Sequence, residues 1–300
     1  MGYVTAIQPM DHGIVSGMVS ALATRYPFLY VAPIGRSVLG RKLWGMTLGS
    51  GQNRVLMAAA FHGQEWMTAW VCLRLCEELC HALSTDQKLS EWDIRRAMSG
   101  RGIVFVPMVN PDGVEIALHG SHVAGEHRAA VHDAGGDVPG RWQANANGVD
   151  INHNFNGGWE ELQQEAAKQG ITGFSARQWG GPRPTSEPET QALVGLCERA
   201  RFRHVVALHS QGEEIYWNYG DTTPPESEMM AKAMASASGY AVSTPIGLAS
   251  HGGFKDWFIQ TYSRPGFTVE LGRGENPLPL CNFKKIYEKA REMLLVSLFL

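Results

Sequence analysis

The stretch Val55-Leu56-Met57-Ala58-Ala59-Ala60-Phe61-His62-Gly63-Gln64-Glu65-Trp66, continued to Leu83, decides the fold class. Residues 55–61 are apolar without interruption. An apolar run of strand length with no polar face suits a strand covered on both sides. It stops at His62-Gly63-Gln64-Glu65, and beyond that turn Val71, Leu75, Leu79 and Leu83 recur at helical spacing. A buried strand feeding straight into a helix is the repeating unit of α/β proteins. Outward from it, residues 42–48 predict a second strand, joined by the turn residues Gly49, Ser50, Gly51 and Asn53. Residues 15–25 predict a first helix that ends before Pro27, and 103–109 predict a buried strand stopped by the turn Asn110-Pro111-Asp112-Gly113. Ser186-Glu187-Pro188-Glu189 has the form of a capping box and predicts a helix to Arg199. Residues 205–208 and 267–271 predict further buried strands, and Asn282 is expected to cap a last helix bearing Ile286, Leu294, Leu295 and Leu298. The chain 1–300 is read as a single α/β/α domain of three layers.

Composition bounds the function. Apolar residues make up 44% and charged residues 18%, with a net charge of −3. That is globular composition, too neutral for a protein that binds nucleic acid over a broad surface. No apolar run reaches membrane-spanning length. The N-terminal residues show no basic segment followed by an apolar one, so a cytoplasmic location is expected. Cys72, Cys76 and Cys80 lie along one helix face and span about 12 Å at ~1.5 Å per residue, too far for one ion. They are expected to be reduced packing residues.

Functional groups of such sheets gather at the carboxyl ends of strands. Here one strand ends at His62, with Glu65 three residues on; another ends at His209; a third holds Glu270 inside Gly266-Phe267-Thr268-Val269-Glu270-Leu271. Two histidines and a glutamate with a fourth position open form a catalytic zinc set. The alternative is three unrelated polar residues near loops. Glu270 in an apolar strand is either a partnered core carboxylate or a general base for water held by the metal.

These residues belong to a longer pattern. His62-Gly63-Gln64-Glu65-Trp66, Asn110-Pro111-Asp112-Gly113, Gly148-Val149-Asp150-Ile151-Asn152-His153-Asn154-Phe155, Leu208-His209-Ser210 and Thr268-Val269-Glu270-Leu271 occur in the order seen in zinc carboxypeptidases of the carboxypeptidase A type. The chain resembles that family over residues 30–295. Segments 110–155, 209–217 and 264–267 are most similar to its bacterial γ-D-glutamyl-diaminopimelate peptidases. The resemblance implies a mixed, mostly parallel central sheet and one Zn2+ held by His62, Glu65 and His209. It makes Glu270 the base, Asp150 the partner of a ligand histidine, and Asn152 a substrate-binding group. The implied substrate is a peptidoglycan stem peptide, cut between D-glutamate and the diamino acid, with no protein partner in evidence.

The pattern is broken in places. His153 stands where the family carries an arginine that grips a terminal carboxylate, and histidine cannot form that fork. The oxyanion arginine is replaced by Gln143, with Arg141 beside Trp142 as the other candidate. The family's mobile tyrosine belongs within 247–250, where none occurs; Tyr240 and Tyr262 flank the region. In Gly252-Gly253-Phe254-Lys255-Asp256-Trp257, Lys255 takes the selecting position and implies an acidic substrate group; the alternative is a surface lysine capping a turn. His119, His122, His127 and His132 crowd one loop without ligand spacing, and Glu213 and Glu214 are candidates to meet a substrate ammonium, with an ordinary polar rim as the alternative. A zinc carboxypeptidase acting on ordinary peptides, a zinc deacylase of N-acyl amino acids and a non-catalytic metal- or peptide-binding relic are the competing readings.

Overall fold

The computed structural model describes residues 4–5 and 8–300. The reading of the N-terminus as lacking a leader rests partly on residues 1–3 and 6–7, which lie outside the described residues. Helix α1 (His12–Arg25) is capped by Asp11, whose carboxylate accepts from Ile14 N at 2.7 Å. Strands β1 (Tyr30–Arg36), β2 (Lys42–Leu48) and β3 (Asn53–Ala59) follow, then helix α2 (Met67–Thr85). A small hairpin of β4 (Lys88–Leu89) and β5 (Trp92–Asp93) leads through α3 (Ile94–Ala97) to β6 (Arg101–Val106) and α4 (Pro111–His119). Short helix α5 (Arg128–Asp133) lies in the long glycine-rich connection, which packs its own small core around Trp142. Then come α6 (Trp159–Lys168), α7 (Pro188–Ala200), β7 (His204–His209), β8 (Glu214–Tyr216) and α8 (Glu226–Ser238). Strand β9 (Ala241–Ser243), α9 (Phe254–Tyr262), β10 (Gly266–Glu270) and α10 (Phe283–Phe299) complete the chain.

Eight strands form one sheet in the order β1-β2-β6-β3-β7-β10-β8-β9. Four of its neighbouring pairs are parallel and three antiparallel, so the sheet is mixed and mostly parallel. Both faces of the central strand are covered. Val55, Met57 and Ala59 point into a core with α2 and α10, and Leu56 and Ala58 point into one with α7 and α9. β3, β7 and β10 run parallel side by side, which brings their carboxyl ends to one edge.

Three local expectations are corrected. The helix at 186–199 has no capping box: Glu187 is its N-cap and Pro188 opens it. The Ser186 hydroxyl is taken up by Asn154 and Glu187, and Glu189 turns inward to Val38 N. Strand β6 ends at Val106, although Val109 N and Asn110 N still bond to Ala59 O and Ala60 O. Asn282 precedes α10 with helical backbone and makes no side-chain cap bond. Cys72, Cys76, Cys80 and Cys197 are buried free thiols, and Cys281 is exposed.

Candidate metal centre and active site

β3 ends at Ala59, and Ala60 turns the chain out of the sheet at φ 51°. Gly63–Glu65 then form a single 3-10 turn before α2, so His62 and Glu65, three apart, face the same way. His62 Nδ1 lies 2.7 Å from Glu65 Oε1. β7 pairs with β3 so that His209 emerges beside this turn, its Nδ1 3.1 Å from Glu65 Oε2. One ligand atom from each of the three residues lies within 4.8 Å of the others. β10 ends at Glu270, directly across from His209 in register.

The turn is held by close backbone packing. A Cβ on Gly63 would sit 2.2 Å from Gly113 O, so only glycine fits. Buried Asn110 caps α4 by accepting from Gly113 N and donates its amide to Phe61 O and Gln143 O. The Asn110-Pro111-Asp112-Gly113 motif therefore starts a helix and clamps the strand end that carries His62.

Asp150 fixes the tautomer of His62. Its Oδ1 lies 3.1 Å from His62 Nε2, and its Oδ2 accepts from Gln178 N at 3.0 Å. Burial opposes charge on Asp150, but His153, His62 and the Gln178 amide outweigh it and hold the carboxyl far below its usual range. An ionised carboxylate only accepts, so the proton of His62 sits on Nε2. His62 Nδ1 faces an oxygen of Glu65, a contact that needs a cation between the two atoms, a proton or a metal ion. The local field says the same: burial disfavours charge on His62, yet Glu65 and Asp150 raise its pKa well above the usual value. Burial likewise works against the Glu65 carboxylate, but His62 and His209 hold it down to about 2. Two imidazole nitrogens and a carboxylate around one point, with a side open to the cleft, are the donor set zinc takes. His209 is buried, its ring stacked on Phe61 at 4.9 Å, and burial lowers its pKa. Burial and the Glu65 charge push the Glu270 carboxyl well above its usual range.

The cleft brings together His62, His209 and Glu270 with Asn152, His153 and Lys255. Asn152 Oδ1 accepts from Phe254 N at 3.1 Å, which leaves its amide nitrogen for another partner. His153 Nδ1 lies 3.3 Å from Gln178 O. Lys255 is buried, not a surface residue; its Nζ is paired with Asp256 and donates to Asn218 O at 2.8 Å. Arg141 is exposed, its side chain lying over Gly135, and does not line the cleft. Gln143 takes part through its backbone, where its carbonyl accepts from Gly63 N. Tyr240 bonds Gly272 N and Tyr262 packs on Trp257, so neither faces the cleft. His119, His127 and His132 pair with Glu115, Glu126 and Asp137, and no second ligand group forms among the described residues. Glu213 is paired with Lys289 and Arg273, and Glu214 accepts from Tyr216 Oη. Sequence reasoning missed Gln178, Tyr216 and His251. Only His251 had a usable signal, its place just before the glycine pair that opens the Lys255 segment.

Comparison with known proteins agrees with this geometry. The zinc carboxypeptidase family matches residues 15–295. The chain is 36% identical to gamma-D-glutamyl-L-diamino acid endopeptidase 1 of Lysinibacillus sphaericus, over 99% of this chain and 74% of that protein. It is 26% identical to murein peptide amidase A of Escherichia coli K12, over 74% of each. Among solved structures, bovine thrombin-activatable fibrinolysis inhibitor in complex with tick carboxypeptidase inhibitor superposes with a TM-score of 0.75 at 18% identity, covering 97% of each chain. With the motifs in order, the strand ends converged and the match running through nearly the whole length, the chain belongs to the zinc carboxypeptidase family and is a zinc-dependent metallopeptidase.

Proposed function

We propose that the whole chain, 1–300, is one catalytic domain that hydrolyses peptidoglycan-derived peptides at the γ-D-glutamyl–diamino acid bond. The observation that carries this reading is the convergence of His62, Glu65 and His209 on one point with Glu270 in the same cleft. The substrate class is supported by the endopeptidase and amidase named above, which are similar over most of this chain. Four buried free thiols support a reducing compartment, and no described helix is long and apolar enough to cross a membrane. Both suit cytoplasmic turnover of muropeptides, which fractionation of cells would test.

His62, Glu65 and His209 would hold the zinc, and Asp150 keeps His62 in the tautomer that presents Nδ1. Bound zinc supplies a Lewis acid for the amide carbonyl and lowers the pKa of water to about 7. Glu270 takes the proton of the attacking water on a carboxylate oxygen and returns it to the departing nitrogen. Its raised pKa favours the first of these transfers, the uptake of the proton from water. Asn152 turns its amide N–H to the substrate, because its oxygen is committed to Phe254 N. Lys255, with two donors used on Asp256 and Asn218, keeps one N–H for an acidic group of the diamino acid. Mass spectrometry of products from L-Ala-γ-D-Glu-meso-diaminopimelate, with and without chelator, tests the reading. L-Ala-D-Glu and free diaminopimelate are expected, and release of free L-Ala with γ-D-Glu-diaminopimelate left joined, or no product at all, would overturn the assignment.

A further inference from the structure

His251 lines the cleft that holds the hydrolytic groups and has no part in the chemistry above. It follows the turn Gly247–Ser250 and lines the cavity with Glu270 and Lys255. Its segment runs beside Asn152–His153: Phe155 N donates to Gly252 O and Phe254 N to Asn152 Oδ1, each at 3.1 Å. His251 and His153 therefore flank the same space.

Each of the two rings is held by one nitrogen, in opposite senses. Tyr219 Oη lies 3.1 Å from His251 Nδ1, the rings perpendicular at 86°. Burial, with Asp256 and Glu161, pushes the Tyr219 phenol up to about 12, so it keeps its proton and is available as a donor to His251 Nδ1. With Tyr219 as the donor, the proton of the neutral His251 ring sits on Nε2, which has no protein partner among the described residues. His153 is the reverse case. Its Nδ1 faces the Gln178 carbonyl, which can only accept, so Nδ1 carries the proton and Nε2 offers a lone pair. The Tyr219–His251 pair is also tightly backed. A Cβ on Gly158 would lie 2.1 Å from Tyr219 Oη and 2.8 Å from His251 Nδ1, and Gly158 itself sits at φ 73°.

We infer that His251 and His153 form a donor–acceptor pair that reads a peptide group of the substrate, so the cleft is built for a chain that continues past the diamino acid. His251 donates to the C=O of that group and His153 accepts its N–H. A terminal carboxylate has no N–H to give, and it would meet the lone pair of His153. Tyr219 is a positioning residue that acts through His251. The inference rests on the muropeptide reading and deepens it from the bond cut to the length of peptide preferred.

The test compares L-Ala-γ-D-Glu-meso-diaminopimelate with the same peptide extended by D-Ala. Steady-state kinetics at pH 8 are measured for the wild type, His251→Leu, His251→Gln, Tyr219→Phe and His153→Arg. Calorimetric binding of both peptides to the Glu270→Gln protein gives a readout apart from turnover. The wild type is expected to favour the extended peptide, and Glu270→Gln to bind it more tightly. His251→Leu should raise KM for that peptide about tenfold with kcat little changed, the loss of one neutral hydrogen bond. His251→Gln, which keeps a donor near Nε2, should restore most of it, and Tyr219→Phe should fall between. His153→Arg should turn the preference toward the shorter peptide. A wild type that cleaves both but prefers the shorter, or His251→Leu kinetics equal to wild type, overturns this inference and leaves the assigned bond standing. A wild type inert toward both overturns the substrate reading and the inference together.

Discussion

Replacing Asp150 with asparagine removes one acceptor and keeps the shape. The carboxylate accepts on both oxygens, from His62 Nε2 and from Gln178 N. Asparagine has one oxygen and an NH2, so one of those two N–H groups must face a donor. If Gln178 loses its acceptor, a buried amide goes unpaired at about 1–3 kcal/mol, and the backbone of Gln178 is held at φ 68°, a conformation a non-glycine residue rarely keeps without support. If His62 loses it, the ring relaxes to the tautomer with its proton on Nδ1, the atom that faces Glu65 and the metal. That tautomer cannot ligate. Loss of such an outer partner typically costs 10- to 100-fold in metal affinity, or about 1.4–2.7 kcal/mol. The assay is competition for zinc against a chromophoric chelator, with circular dichroism as the check on folding. Asp150→Asn should bind zinc at least tenfold more weakly and lose kcat/KM in proportion when zinc is limiting. Gln178→Gly, which keeps the backbone N–H, should bind zinc like wild type. A dissociation constant within twofold of wild type for Asp150→Asn would refute the tautomer argument.

Glu270→Gln should lower kcat by about 10²–10⁴-fold while retaining stoichiometric zinc; kinetics with metal analysis checks this, and a loss of zinc would mean that Glu270 acts structurally. Gly63→Ala drives a Cβ against the Gly113 carbonyl; backbone overlap of this kind costs about 1–3 kcal/mol or more, and both the unfolding midpoint and the zinc affinity should drop. Lys255→Ala leaves Asp256 buried without its cation; about 3–5 kcal/mol should be lost in chemical denaturation, and Lys255→Met with Asp256→Asn should recover most of it. Glu189 is fully buried, and burial with Asp112 nearby raises its pKa from 4.5 to about 8. The folded state thus binds more protons than the unfolded one between these values, so stability falls as pH rises through that window. Glu189→Gln should flatten the fall, which spans up to a few kcal/mol, in urea midpoints measured from pH 5 to 8; an unchanged slope would show that Glu189 is ionised throughout.

How much could be read in advance follows from which forces are local. The β3-to-α2 unit was legible because burial on both faces leaves an unbroken apolar run, and the exit turn must be glycine-bearing where Gly63 meets Gly113. The metal set was legible because parallel strands bring their ends to one edge, so His62, His209 and Glu270 needed only strand assignments to be placed together. Local chemistry misled where one residue type serves two ends. Asn110-Pro111-Asp112-Gly113 reads as a turn, yet asparagine followed by proline is equally a helix start, and it serves as one. Ser186 and Glu189 have capping-box spacing, but Pro188 fixes the first helical position and the buried polar groups around Asn145 and Asn154 draw both side chains elsewhere. The edge strand β1 carries Pro33, which an edge tolerates and which weakens any strand signal. The substrate-facing layer was the least legible. Gln178, Tyr219 and His251 lie on loops with no period, and they act through hydrogen bonds to residues 25 to 32 positions away. The meeting of His62, His209 and Glu270 at one edge is imposed by the sheet. The choice of peptide is set by which nitrogen of His153 and of His251 bears a proton, and that depends on neighbours the chain brings up only when folded.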